Sequence, residues 1–276
     1  MAREKLREQK PREDSSTEDA PAEDARAFAD RLTAAEHNRD RSSPRLRPKP
    51  AATLIILDHA GQESHAGKEP TVLMGRRNPA HKFMPGKFVF PGGRVDPVDR
   101  HMRVALPLHA AVEERLLAHL PRRGATMARA LALAAIRETF EETGLVLGAP
   151  APLDGRKVPE GVWRDYAAHG FAPDLSKLSF VAHAVTPPRR PRRFDTFFFV
   201  ADATMIAHRS GGVIGPEAEF VELVWIALSE ARRLDLPTVT SVVLDELDKR
   251  VKAGFAPSLP VPFYRELRGR FQRDER

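Results

Sequence analysis

"AAIRETFEETGL", residues 134 to 145, is the stretch on which the reading of the chain turns. Placed on a helix, Glu138, Glu141 and Glu142 stand at i, i+3 and i+4, so their carboxylates share one face. Carboxylates crowded in this way repel one another unless a cation lies between them. The chain has no cysteine, and an oxygen-rich, thiolate-free set suits Mg²⁺ or Mn²⁺. Arg137 lies four residues before Glu141 and can pair with it. Ala134, Ala135, Ile136 and Phe140 supply small or apolar positions that can pack on a sheet, and Gly144 stands where a helix C-terminal glycine belongs. Taken alone, a solvated acidic helix face explains this pattern as well as a metal site does.

The second informative stretch is "FPGGRVDPVDR", residues 90 to 100. A proline and two glycines end a short apolar run, and two aspartates follow. Asp96 is placed to accept hydrogen bonds from the loop backbone. Asp99 reads either as an acid of the site or as a turn residue.

Around these stretches the chain alternates strand-like and helix-like segments. Thr53–Leu57, the segment from Thr71, "KFVF" (87 to 90), "LSFVAHAV" from 178, "RFDTFFFVA" (193 to 201) and "FVELVWIAL" (220 to 228) read as strands. The 193–201 segment is apolar on both faces, with Phe194, Phe198 and Val200 on one and Phe197 and Phe199 on the other. It should therefore be a central strand. Helices are expected at "LPLHAAVEERLLAHL", at about 126–143 and at "TVTSVVLDELDKRVKAG", with a loop-rich stretch from 145 to about 177. The fold class is α/β: a mixed sheet with helices on its faces. Residues 1–50, rich in charge, Pro and Ser, are expected to form a mobile tail with one marginal helix at "DARAFADRLTAAEH". A single domain should span 51–265, followed by a basic C-terminal tail over 266–276.

Bulk properties narrow the function. The chain has 276 residues, a formal net charge of +6 and no apolar run long enough to span a bilayer. The N-terminal segment lacks the apolar core of a secretory signal and is too acidic for a transit peptide, so a soluble cytoplasmic protein without a membrane partner is expected. Basic charge favours anionic partners. No basic groove interleaved with aromatic residues points to nucleic acid as the main one. The sequence leaves the oligomeric state open, a homodimer being one option.

The two stretches together resemble the Nudix hydrolases. Arg137, Glu138, Glu141, Glu142, Gly144 and Leu145 fill the second half of the Nudix box, R-E-x-x-E-E-x-G-(apolar), with Thr139 at a position usually aliphatic. Gly93 followed by five residues reaches Asp99, where the family has Glu. Between Asp99 and Arg137 lie 37 residues, against seven in the family. The additional 30 carry a helical pattern of their own at about 100–125. An interrupted box of this kind is similar to that of peroxisomal acyl-coenzyme A diphosphatases and their bacterial relatives. "RFDTFFF" (193–199) is also similar to that branch.

The resemblance implies a Nudix-type α/β/α sandwich with a helical insertion in the box. It implies metal-dependent hydrolysis of a diphosphate linked to another group, with coenzyme A or acyl-coenzyme A as the leading small-molecule nucleotide substrate. The alternatives are another Nudix substrate (ADP-ribose, NADH, a dinucleotide or capped RNA) or a non-catalytic ligand-sensing module. Mg²⁺ or Mn²⁺ would be held by Glu141, Glu142, Glu138 and the backbone carbonyl of Gly92, with Glu219 as a more distant ligand drawn from "GPEAEF". Glu138 would act on the attacking water, and Arg137 would belong to the catalytic motif by pairing with a helix carboxylate. Gly92, Gly93 and Asp99 form the motif loop. Arg76, Arg190 and Arg193 are the candidates for substrate phosphate, although Arg190 and Arg193 fit an exposed hairpin tip equally well. Phe83 and Met84 could line a groove for the rest of the substrate. Trp163 and Trp225 read as packing residues.

Overall fold

The structure, a computed structural model, describes residues 20–37, 39, 42–59, 69–120, 124–151, 153, 155–256 and 259–275. Its spine is β1 (Lys49–Asp58), whose run Leu54–Leu57 is fully buried. β8 (Phe194–Asp202) lies parallel to β1, with Thr53 opposite Phe198. Beyond β8 come β7 (Ser179–Val185), antiparallel to it, then β11 (Pro262–Leu267), parallel to β7, and β12 (Arg270–Glu275). On the other side of β1, β2 (Thr71–Arg77) and β10 (Phe220–Ala227) continue the sheet in antiparallel pairing. The short β3 (Phe88–Val89) and β4 (Gly92–Arg94) pair with β2 and β1, which brings this sheet to nine strands among the described residues.

Each face of the sheet carries helices, because the central strands β1 and β8 are apolar on both sides. Leu54, Ile56, Phe197 and Phe199 pack with α2 (Ala110–His119) and α3 (Gly124–Thr143). Ile55, Leu57, Phe198 and Val200 pack with α1 (Ala20–Ala35), the short α5 (Leu228–Ala231) and α6 (Thr238–Lys252). The architecture is an α/β/α sandwich around a mixed sheet. β8 sits fourth of seven along the strand order and is buried on both faces, as its phenylalanine pattern requires.

Three segments differ from expectation. Residues 1–19 lie outside the described residues, but the next stretch of the expected tail folds as α1. Phe28 and Leu32, one turn apart, are buried, and the Lys249 ammonium lies 4.4 Å from the Phe28 ring centre. Arg31 pairs with Asp245 and bonds Ser241 at 2.5 Å. Tertiary packing on α6 stabilises a helix whose own propensity is marginal. The expected C-terminal tail is instead the outer strand of a hairpin. β12 pairs with β11 from Pro262↔Glu275 to Leu267↔Arg270, and Arg273 reaches Glu246 of α6 at 2.9 Å. Its charged residues suit an edge strand. The expected loop from 145 holds β5 (Leu145–Pro150), α4 (Val162–Ala168) and β6 (Phe171–Pro173). With β9 (Ile206–Arg209) these strands make a second sheet in the order β6-β5-β9. They are too short, and too interrupted by Gly and Pro, to show periodicity.

Candidate active site

Helix α3 ends at Gly144, where φ is +74° and the N–H returns to the Phe140 carbonyl at 2.8 Å. A Cβ there would also meet the Ser210 carbonyl oxygen at 2.4 Å, so glycine is required twice over. Thr139, the departure from an aliphatic position, is buried and donates its hydroxyl to the Ala135 carbonyl at 2.8 Å. That bond satisfies its only polar group inside the core.

The acidic face of α3 lies against β4. Gly92 and Gly93 pair with Thr53 and Ala52 of β1, and the Gly92 N–H donates to Glu142 Oε2 at 2.9 Å. A Cβ on Gly93 would sit 2.4 Å from Glu138 Cδ, and one on Gly92 would sit 2.6 Å from the Ala52 carbonyl oxygen. The two glycines therefore do different jobs: Gly92 lets β4 approach β1, and Gly93 leaves room for the Glu138 carboxylate.

Asp99 and Arg137, 38 residues apart, meet at 2.8 Å between Oδ1 and Nε, with Nη2 at 3.3 Å from Oδ2. The intervening chain makes a closed excursion. Residues 97–100 form a 3₁₀ turn capped by Asp96, whose Oδ1 accepts the Val98 N–H at 3.0 Å. α2 then packs through the fully buried Leu116, and Arg129 of α3 binds the carbonyls of Arg100 and Met102. Asp99 is the turn residue, accepting the Asp96 N–H at 2.8 Å, and it also holds the helix arginine. Arg137 also reaches the Arg94 carbonyl at 2.8 Å, Glu138 at 3.0 Å and Glu141 at 3.2 Å. Burial works to lower the Arg137 pKa, but the bonds and charges of Asp99 and Glu138 outweigh it and hold the guanidinium above its usual range.

The three helix acids are poised differently from Asp99. Burial pushes Glu138 up to about 7, against the opposing pull of Arg137 and with the help of the Glu141 charge. Burial also raises Glu142 well above the carboxylate range. The charges of Glu138 and Glu219 add to this rise, and the Gly92 N–H and Arg77 work against it. Glu141 is half exposed and held to Arg137.

Glu138, Glu142 and Glu219 line one end of a cleft of about 710 Å³. The charge and the oxygen-only donor chemistry of these groups fit a hard divalent cation. Their present rotamers do not converge, however: among the described residues no three acidic or histidine groups gather closely enough to hold a metal ion. Glu219 pairs with Arg77 at 2.6 Å and His81 Nδ1 at 3.2 Å, an arrangement with no sequence signal because the partners lie on separate strands and loops.

The arginines depart from the sequence reading. Arg76 faces away, paired with Glu222 at 2.8 Å in a half-exposed pair. Arg193 binds the carbonyls of Thr186 at 3.0 Å and Leu46 at 2.5 Å, so it braces a loop. Arg190 lines the cleft but is paired with Glu36. Arg77, Lys87 and Arg192 line it as well. The Arg77 and Arg192 guanidiniums stand 5.7 and 5.8 Å from the centre of the Phe83 ring, and Phe194 meets that ring edge-on at 5.9 Å. Phe83 and Met84 both face the cleft. Alternation along β2 was the available signal for choosing Arg77 over Arg76. Trp163 donates its indole N–H to Asp99 at 2.9 Å, a contact that the sequence reading missed.

No family model matches the chain. A Nudix hydrolase from Alicyclobacillus acidocaldarius superposes with a TM-score of 0.55 and 28% identity, covering 77% of this chain and 96% of that one. The fold is that of a Nudix hydrolase. Two weaker likenesses are RenU, a Nudix hydrolase from M. smegmatis, and the Nudix domain of Shewanella oneidensis NrtR, crystallised with ADP ribose. RenU gives a TM-score of 0.39 and 16% identity over 75% of this chain and 88% of its own. The NrtR domain gives 0.39 and 11% over 75% and 90%. In this Nudix fold, among the described residues, no helix is long and apolar enough to cross a membrane.

Proposed function

We propose that the protein is a Nudix diphosphatase whose split box closes across the 100–136 excursion. The observation that carries the reading is the meeting of the two stretches. Gly92 N–H rests on Glu142, the Glu138 carboxylate fills the space that Gly93 leaves open, and Asp99 holds Arg137. Glu142 and Glu138 would hold a divalent cation, with Glu141 or Glu219 completing the set after a change of rotamer. When bound, the ion would offset phosphate charge and lower the pKa of a bound water.

The chain's own residues do the rest. Without a cation, burial raises Glu138 to about 7; one of its carboxylate oxygens could accept a proton from the attacking water while the other faces the cation. Arg137 fixes the helix acids relative to β4. The raised pKa of Glu142 follows first from burial and then from its acidic neighbours, and a cation relieves both. Arg192 offers charge to the substrate phosphates, Arg77 and Lys87 line the same cleft while paired with Glu219 and Asp235, and Phe83 offers a ring face.

For substrate we propose coenzyme A or an acyl-coenzyme A, cleaved to 3′,5′-ADP and (acyl-)4′-phosphopantetheine. The interrupted box and "RFDTFFF" support that choice, as does a cleft lined both by basic side chains and by the apolar Phe83, Met84 and Leu32. The test is to incubate the protein and Mg²⁺ with coenzyme A, acyl-coenzyme A, ADP-ribose, NADH, diadenosine polyphosphates and capped RNA. Release of 3′,5′-ADP from the coenzyme A thioesters is the expected result. Turnover of ADP-ribose or a dinucleotide without any 3′,5′-ADP would retire the substrate assignment but keep the reaction class.

A further inference from the structure

Asp99 is wholly buried, and both carboxylate oxygens are fully engaged. Oδ1 accepts Arg137 Nε at 2.8 Å and Trp163 Nε1 at 2.9 Å; Oδ2 accepts the Asp96 N–H at 2.8 Å and Arg137 Nη2 at 3.3 Å. A carboxylate has about four acceptor positions, and all are used here. Three of the donors belong to the 96–99 turn and α3. The fourth comes from α4, which lies outside both box stretches. We infer that Trp163 is a positioning residue for the acidic site, acting through Asp99 and Arg137 on Glu138 and on the Gly92–Arg94 strand.

The geometry runs as one bonded chain. The indole N–H fixes Asp99 Oδ1, and Asp99 fixes the guanidinium plane of Arg137. Arg137 in turn holds Glu138 at 3.0 Å, Glu141 at 3.2 Å and the Arg94 carbonyl at 2.8 Å. Trp163 is itself immobilised. It is fully buried on α4, beside Tyr166, whose hydroxyl donates to the Leu147 carbonyl at 2.6 Å and whose ring meets Phe140 of α3 edge-on at 5.3 Å. Asp is one methylene shorter than the Glu that the family has at this place, and it reaches two partners at once, the indole on one side and the arginine on the other. Losing the indole donor leaves a buried acceptor unfilled and lets the carboxylate turn.

This inference rests on the diphosphatase reading. Trp163→Phe keeps the ring and removes the donor. Turnover is expected to fall on the order of tenfold, as is typical when a group behind a metal ligand is lost. KM for the substrate should stay constant, because Trp163 does not line the cleft. Mg²⁺ affinity, measured by calorimetry without substrate, should weaken by a similar factor of about ten. Amide exchange at 92–94 should accelerate relative to β8. Combining Trp163→Phe with Asp99→Asn should cost little more than Asp99→Asn alone, since both break the same chain. Additive losses, or faster exchange confined to 145–173, would make Trp163 a packing residue and overturn the inference.

If the unmodified protein neither binds Mg²⁺ nor cleaves any diphosphate, the diphosphatase reading falls. The exchange measurement still decides the coupling. If Trp163→Phe does not fold, exchange in the unmodified chain decides it. The Trp163 indole proton should then exchange as slowly as the Gly92 amide, and exchange about tenfold faster or more would break the link.

Discussion

Asp99 and Glu142 are both carboxylates removed from water, 43 positions apart in the chain, and they are treated in opposite ways. Asp99 receives two arginine nitrogens, an indole N–H and a backbone N–H. Glu142 receives one backbone N–H, and its pKa is driven up by burial and by Glu138. A buried charge with all its acceptors filled holds a shape. A buried charge left short of partners stores a demand for a cation. The same helix presents both conditions, with Arg137 turned to the first acid and Glu142 to the cleft.

The largest expected effect tests the second condition. Glu142→Gln should lower diphosphate hydrolysis on the order of a thousandfold, the scale of several kcal/mol of transition-state stabilisation. Its thermal midpoint should stay level or rise, because a repelled charge is removed. Near-normal turnover in this variant would erase the contrast with Asp99. Asp99→Asn probes the first condition. It should cost about 3 kcal/mol in urea unfolding, as expected when one partner of a buried ion pair is lost. A cost in the range of surface changes, within about 0.5 kcal/mol, would mean that Asp99 is no anchor.

Proton linkage sharpens the same comparison. Glu138 titrates near 7 in the folded state against an ordinary value of 4.5, burial being the main cause. The folded state therefore binds the proton more tightly. The resulting stability is fully present below about pH 4.5 and is lost as pH rises through about 7. Melting of the metal-free protein should show a Glu138 component that favours pH 5 over pH 8, at most about 3 kcal/mol, and Glu138→Gln should reduce the slope while Glu142, also raised by burial, keeps the remainder. Mg²⁺ should restore stability at pH 8; a cation that stabilised pH 5 more would contradict the assignment. The smallest effects lie among the arginines. Arg192→Ala should raise KM by about tenfold through a lost charge-assisted contact. Arg76→Ala, whose pair with Glu222 is half exposed, should change stability by less than about 1 kcal/mol and leave KM alone.

What was legible in the sequence was what periodicity encodes locally. The face of α3, the glycine at its end and the two-sided burial of β8 follow from spacings of a few residues. Thr139 and Asp99 were legible as departures from a pattern, but their bonds were not. Asp99's partners lie 38 and 64 residues away. The arginines divided differently, because a run such as 189–193 does not reveal which guanidinium will meet a backbone carbonyl, which a carboxylate and which the cleft. The second sheet escaped because β6 has three residues and β9 four, below the length at which alternation can be read.

The cleft is also lined by Leu32 and Ala35 of α1, by Glu36 just beyond that helix, and by Phe271 of β12. The Phe271 N–H reaches Thr33 Oγ1 at 2.9 Å, across 238 residues of chain. Contacts of such long sequence separation form late, since the loop between them must first be closed. During synthesis the residues of the acidic end, the last of them Glu219, are made before Phe271. A nascent chain can therefore hold the groups proposed for the chemistry while part of the cleft lining is still missing, and the cleft gains its final outline only when β12 has been added to the sheet.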